Sequence, residues 1–219
     1  MTTTPARSAA VLISGGGSNL QALIDATRDG LLALDIVVVV SNRPNVAGLD
    51  RARRAGIATE CIISADSRSR DAFDNALTDT LDAYRPDLLL LAGFMRILTP
   101  ACVQRYSGRM LNIHPSLLPD YPGLDTHRRV LEAGDRWHGC TVHFVTEDLD
   151  GGPAIMQGRV PVMPDDNAEG LAARVLSVEH RIYPRAAALL ASGRLEWRNG
   201  NVLLDGQPLL KPLQLDSIL

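Results

Sequence analysis

The sequence lacks any run close to the ~20 consecutive apolar residues that a membrane-crossing helix needs, so an integral membrane protein is not expected. Its start, Met1-Thr2-Thr3-Thr4-Pro5-Ala6-Arg7, has no apolar centre of the kind found in secretory signal peptides. Basic excess is also missing. The formal net charge is -3, with acids and bases interspersed, which argues against the cationic field that drives nucleic-acid binding. Cysteine is scarce: three, at Cys61, Cys102 and Cys140, odd in number and without C-x-x-C or Cys/His spacing. That excludes a disulfide framework, gives no metal site, and fits a reducing cytoplasm. No repeat, low-complexity tract or linker interrupts the chain. What remains is an ordinary globular composition, 46% hydrophobic and 21% charged over 219 residues, expected to fold as one domain with a frayed start at residues 1–7 and a tail from about 205 to 219.

Apolar runs at Ala9–Ser14, Ile36–Val40, Cys61–Ile63 and Leu88–Ala92 read as strands buried on both faces. Between them lie helical spacings, clearest in Phe73, Ala76, Leu77, Thr80, Leu81 and Tyr84, which share one face before Pro86 ends the helix. The alternation predicts an α/β fold with a doubly wound, mostly parallel sheet, which binds ligands beyond the carboxyl ends of its strands. Thr99-Pro100 should open a short helix to Tyr106, followed by a fifth strand at Met110–Ile113. The second half is less regular: a loop from Pro115 to Gly123, a helix at Thr126–Ala133, and strands at Thr141–Val145 and Ile155–Val162. A long helix begins near Ala168, which Pro184 should kink or divide, and Leu195–Leu219 is expected as a hairpin and a loose tail.

The first strand runs into Gly15-Gly16-Gly17-Ser18-Asn19-Leu20. Unpaired N–H groups at a helix start, positive dipole potential and the close approach that glycine allows together make an anion site. A dinucleotide fingerprint would need glycine where Leu20 stands and an acid where Ser41-Asn42-Arg43 stands, and no Gly-Lys-Ser/Thr follows the loop. A single phosphate is the remaining candidate, set against a plain tight turn with Ser18 as helix cap.

Asn112 and His114 are two apart on a strand, so both emerge from one face, and Pro115 places them at its carboxyl end. An amide NH2 and a protonated imidazole are both donors, suited to an oxygen that becomes negative when a carbonyl is attacked. A carboxylate that keeps the imidazole charged is needed; Asp120, Asp125, Glu147, Asp148 and Asp150 are all candidates, with Asp150 preferred for its Gly-Gly turn. Gly-x-Ser-x-Gly is absent and no cysteine stands beside a base, which favours direct transfer over a covalent intermediate. His127, His138, His143 and His180 form no spaced ligand set, and His143 alone shares a strand face that can turn toward the same pocket.

Asn112-Ile113-His114-Pro115-Ser116-Leu117-Leu118-Pro119, the Gly15–Leu20 loop and Asp148-Leu149-Asp150-Gly151-Gly152-Pro153 together resemble the phosphoribosylglycinamide formyltransferase family. So do Leu91–Leu98, Tyr121-Pro122-Gly123, Thr141–Val145 and Glu179–Pro184, so that the likeness spans nearly the whole chain. The resemblance implies a Rossmann-like fold and transfer of the formyl group of 10-formyltetrahydrofolate, a co-substrate, to the amine of glycinamide ribonucleotide in purine synthesis. It implies that Gly17, Ser18, Asn19 and Glu179 hold the ribonucleotide and that Arg70, Met95, Arg96, Ile97, Leu98 and Asn112 meet the folate. It assigns proton donation to His114 and the raising of that histidine's pKa to Asp150, with no metal, small-molecule partners only, and a cytoplasmic setting.

Methionyl-tRNA formyltransferase and formyltetrahydrofolate hydrolase share the folate domain but carry a further domain, for which this length leaves no room. A non-catalytic sensor of a phosphorylated metabolite is the alternative from another class, disfavoured by the intact Asn112, His114 and Asp150. A nicotinamide oxidoreductase is disfavoured by Leu20 and the missing acid.

Overall fold

The computed structural model describes residues 6–63, 69–198 and 200–215. Eight strands form the main sheet, in the order β11-β7-β6-β5-β4-β1-β2-β3. The first five are β1 (Arg7–Ile13), β2 (Leu34–Ser41), β3 (Ala58–Cys61), β4 (Leu88–Leu91) and β5 (Met110–His114), and all pair in parallel. The next two, β6 (Trp137–Phe144) and β7 (Ala154–Pro161), run antiparallel to their predecessors.

Period-two alternation explains why the central strands are apolar throughout. In β1, Ala9, Val11 and Ile13 join a core shared with Leu20, Leu23 and Leu49, while Ala10 and Leu12 face a second core with Phe73, Leu77 and Leu81. One sheet face therefore carries α1 (Ser18–Arg28), α2 (Ala47–Arg54), α5 (Thr126–Ala133) and α6 (Ala168–Ala191). Against the other lie α3 (Arg70–Tyr84) and α4 (Pro100–Arg105). Thr99 caps α4 as expected, accepting from the Cys102 N–H.

Three expectations need correction. The third strand begins earlier than the apolar run Cys61–Ile63, because its register sets Ala58 opposite Val38; as the sheet edge it needs little apolar character. Helix α6 is not divided at Pro184. Its apolar face, including Leu171, Val175, Ile182 and Tyr183, is fully buried against the sheet, and that packing outweighs the one hydrogen bond proline cannot donate. The tail is not loose either over its described part, to residue 215, and residues 216–219 lie outside the described residues. After the hairpin β8 (Leu195–Arg198) and β9 (Asn201–Leu204), β10 (Gln207–Pro208) extends that small sheet, and β11 (Leu213–Leu215) joins the main sheet parallel to β7. Of the start expected to fray, residues 1–5 lie outside the described residues, and Arg7 already opens β1.

Among the described residues, no helix is long and apolar enough to cross a membrane. The sheet reverses its winding at β1, whose neighbours are β4 on one side and β2 on the other. Loops leaving β1 and β4 thus diverge around a crevice, the place where such sheets take ligands.

Candidate active site

The glycine loop leaves β1 at this crevice. Gly17 lies in the left-handed region at φ 69° and caps α1 without any side-chain hydrogen bond, so the first N–H groups of the helix are uncapped. Ser18 is the first residue of α1 and not its cap. The loop is pressed onto α2: Gly48 N–H donates to Gly15 O at 3.1 Å, and Arg51 Nε to Gly16 O at 2.8 Å. From Ser18 a groove of about 880 Å³ runs between α1 and α6, lined also by Arg51, His180, Arg181 and Arg185. Burial, and then Arg51, hold the His180 imidazole below its ordinary value.

Asn19 points inward instead. Its Nδ2 donates to Glu179 Oε2 at 2.6 Å, both residues are buried, and its Oδ1 is buried without a partner. Desolvation raises the Glu179 carboxyl above the usual range, against the opposing effect of the Asn19 hydrogen bond. The ribonucleotide set predicted from sequence therefore meets in space, with Asn19 joining the loop to α6.

Antiparallel pairing of β5 and β6 places Asn112 opposite His143 and His114 opposite Thr141. Cross-strand partners share a face, and Asn112 Nδ2 lies 3.1 Å from His143 Nε2. His143 Nδ1 faces Phe144 O at 2.8 Å. A carbonyl only accepts, so Nδ1 carries the proton and Nε2 receives one from Asn112. Burial lowers the His143 pKa, which keeps the ring neutral and that arrangement fixed. The amide of Asn112 is thereby oriented, with its second N–H left for another acceptor.

The same reasoning fixes His114. Its Nε2 lies 3.0 Å from Tyr121 O and must donate there, while Nδ1 stands 3.4 Å from Asp150 Oδ2. Nδ1 is therefore the ring atom that faces the carboxylate. Asp150 sits at φ 51° in the turn that follows Asp148, and its Oδ2 accepts from Gly123 N–H at 2.8 Å. Of the five candidate acids, Asp150 alone contacts His114 at ion-pair distance among the described residues. Its Oδ1 is also 3.9 Å from His143 Nε2.

A cleft next to this group is lined by Phe94, Arg96, Ile97, Leu98, Asn112 and His143, and by the 145–150 segment. Ile97 is exposed at its edge, Met95 is exposed without lining it, and the Arg96 guanidinium lies 4.0 Å above the Phe73 ring centre. Arg70 stands apart from this cleft's lining, exposed at the start of α3.

Sequence reasoning missed the backbone groups of Tyr121 and Gly123, which hold His114 and Asp150 respectively. Backbone atoms carry no residue-type signal, although two consecutive turn formers, Pro122 and Gly123, mark a sharp bend. Neither buried cysteine offers a competing nucleophile: burial pushes Cys102 up to about 12 and Cys140 well above its usual value. Among the described residues, no group of three His, Cys, Asp or Glu side chains is placed to hold a metal ion.

A glycine loop at an uncapped helix start, an oriented amide–imidazole pair and an adjoining cleft agree with the sequence comparisons. The chain belongs to the formyl transferase family, whose pattern it matches over residues 7–187. Its relatives include the phosphoribosylglycinamide formyltransferase of Escherichia coli, 53% identical over 199 residues that cover 91% of this chain and 94% of that one. The trifunctional purine biosynthetic protein adenosine-3 of Drosophila melanogaster is 53% identical over 84% of this chain, which is 14% of that much longer protein. The solved phosphoribosylglycinamide formyltransferase of Coxiella burnetii superposes with a TM-score of 0.91 at 50% identity, covering 96% of this chain and 99% of that one.

Proposed function

We propose that this protein transfers the formyl group of 10-formyltetrahydrofolate to the amine of glycinamide ribonucleotide, a step of purine synthesis. The observation that carries this reading is the convergence of Asn112 and His114, backed by Asp150, between the uncapped α1 start and the cleft beside residues 95–98.

The residues fit both ligands. Backbone N–H groups at Gly17, Ser18 and Asn19 take the phosphate, with the arginines of the adjoining groove adding positive potential. Glu179 accepts from ribose hydroxyls, and the unpaired Asn19 Oδ1 accepts a further donor. The folate enters the cleft lined by Arg96, Ile97 and Leu98, its apolar parts covered by Leu149 at the rim and by the exposed Met95. Arg70 reaches its far, charged end.

The amine nitrogen attacks the formyl carbon. As the carbonyl oxygen becomes negative, it accepts from the second N–H of Asn112 and from Nδ1–H of protonated His114. Asp150 stands beside Nδ1 and pairs with the imidazolium. The amine loses one proton to water, the oxyanion collapses to a carbonyl as the carbon–N10 bond breaks, N10 takes the proton from His114 Nδ1, and the proton released to water returns to Nδ1. One C–N bond forms, one breaks, and the proton count closes. The whole chain acts as one transferase unit working on small molecules in the cytoplasm.

Purified protein supplied with 10-formyltetrahydrofolate and glycinamide ribonucleotide should yield tetrahydrofolate and the formylated ribonucleotide only when all three are present. Formate released at equal rate without the ribonucleotide would mark a hydrolase. Saturable binding with no turnover would mark a sensor.

A further inference from the structure

The loops that would hold the two substrates leave adjacent strands, β1 and β4, and the Ser14 side chain joins them. Ser14 follows β1 and precedes Gly15. Its N–H donates to Gly93 O at 3.1 Å, and its Oγ accepts from Met95 N–H at 2.7 Å. The first contact continues the strand ladder, in which Ala92 N–H already donates to Leu12 O at 2.9 Å. The second does not belong to any ladder: the chain has turned at Gly93, φ 75°, and Met95 is beyond reach of β1's backbone pattern. Only a side chain can span the gap where the sheet winding reverses.

Ser14 is 3% exposed, so water does not compete for this contact. Met95 opens the segment whose next three residues line the folate cleft, and Ser14 is bonded directly to the glycine that opens the phosphate loop. A shift of either loop therefore moves the donor or acceptor of the other.

We propose that Ser14 is a positioning residue that couples the two substrate sites, so that occupation of residues 15–19 favours the arrangement of residues 95–98 that binds folate, and the reverse. The proposal rests on the formyl-transfer reading for the identity of the ligands. Linkage requires the effect to be reciprocal.

The test uses a pair that cannot react, tetrahydrofolate and glycinamide ribonucleotide, titrated by calorimetry singly and together. In the unmodified protein each ligand should tighten the other by about threefold to tenfold, the range that one redistributed hydrogen bond supports. Ser14→Ala should bring that factor to within about twofold of unity, and Ser14→Thr, which keeps the acceptor oxygen, should restore it. A serine that only stabilises the fold would lower Tm and weaken both ligands while leaving the factor intact. That result, or the absence of any factor in the unmodified protein, overturns the proposal.

Amide exchange without ligand separates this from failure of the functional reading. Ser14→Ala should speed exchange at Met95 and across Gly15–Asn19 together; acceleration at Met95 alone overturns the coupling. Correct exchange behaviour with no binding of either ligand would instead remove the formyl-transfer reading.

Discussion

His114 Nδ1 stands 3.4 Å from Asp150 Oδ2, and the bend between Tyr121 and Gly123 holds both partners in place, accepting from His114 Nε2 and donating to Asp150. With Nε2 committed to a carbonyl, the chemistry of the ring is confined to Nδ1.

Replacing His114 by Ala should lower kcat by on the order of 100-fold or more, as loss of one oxyanion donor does. Steady-state kinetics with both substrates saturating measures this. Near-normal turnover would remove His114 from the reaction.

Asp150→Asn keeps an oxygen able to accept from Gly123 N–H but loses the charge facing Nδ1. Turnover should fall on the order of 100-fold with both KM values changed little, because the carboxylate acts through His114 and not on a substrate. A KM effect without a kcat effect would contradict that role.

Glu179→Ala should raise KM for the ribonucleotide well above any change in KM for the folate. The substitution removes the carboxylate and strands the buried Asn19 amide that donates to it. Equal effects on both substrates would place Glu179 elsewhere in function.

Gly17→Ala should cost about 1–3 kcal/mol of stability and weaken ribonucleotide binding. A Cβ there would lie 2.7 Å from Gly48 Cα, and the backbone is left-handed, so strain and collision both open the loop. Thermal melts and KM for the ribonucleotide report the two effects.

His138 supplies a pH prediction. It is buried, its Nε2 faces His127 Nδ1 at 2.9 Å, and burial, then His127 and His114, bring its pKa down to about 4. One proton serves that contact, and a second would set two donors face to face. The folded-state value lies below the ordinary value of ~6.5, so the unfolded chain binds more protons between the two. This contribution is complete above ~6.5 and lost as pH falls toward 4, worth up to about 3 kcal/mol. Urea unfolding of the wild type and His138→Asn across that window should show a shallower loss in the variant.

Much of this was legible without coordinates. Apolar runs alternating with helical spacings gave the doubly wound sheet, since strands buried on both faces have no freedom to be polar. Asn112 and His114 were legible as a pair because period two puts them on one face, and Pro115 ends the strand there. The glycine turn that opens α1 was legible because Gly15–Gly17 follow an apolar strand and precede helical spacing. Edges were read less well: β3 and β11 are weakly apolar strands whose pairing comes from register with a neighbour. Of the kink or division expected at Pro184, division does not occur, because the packing of α6 outweighs the local rule.

The sequence by itself determined the fold class, the placing of Asn112 and His114 on one strand face, and the glycine turn, all of which depend on spacing within one element. Only the tertiary structure decided which carboxylate faces His114, which nitrogen of that ring is free, what orients the Asn112 amide, and that Ser14 joins the two loops. Each depends on groups from separate elements meeting at a few ångströms, and on backbone atoms that every residue type possesses.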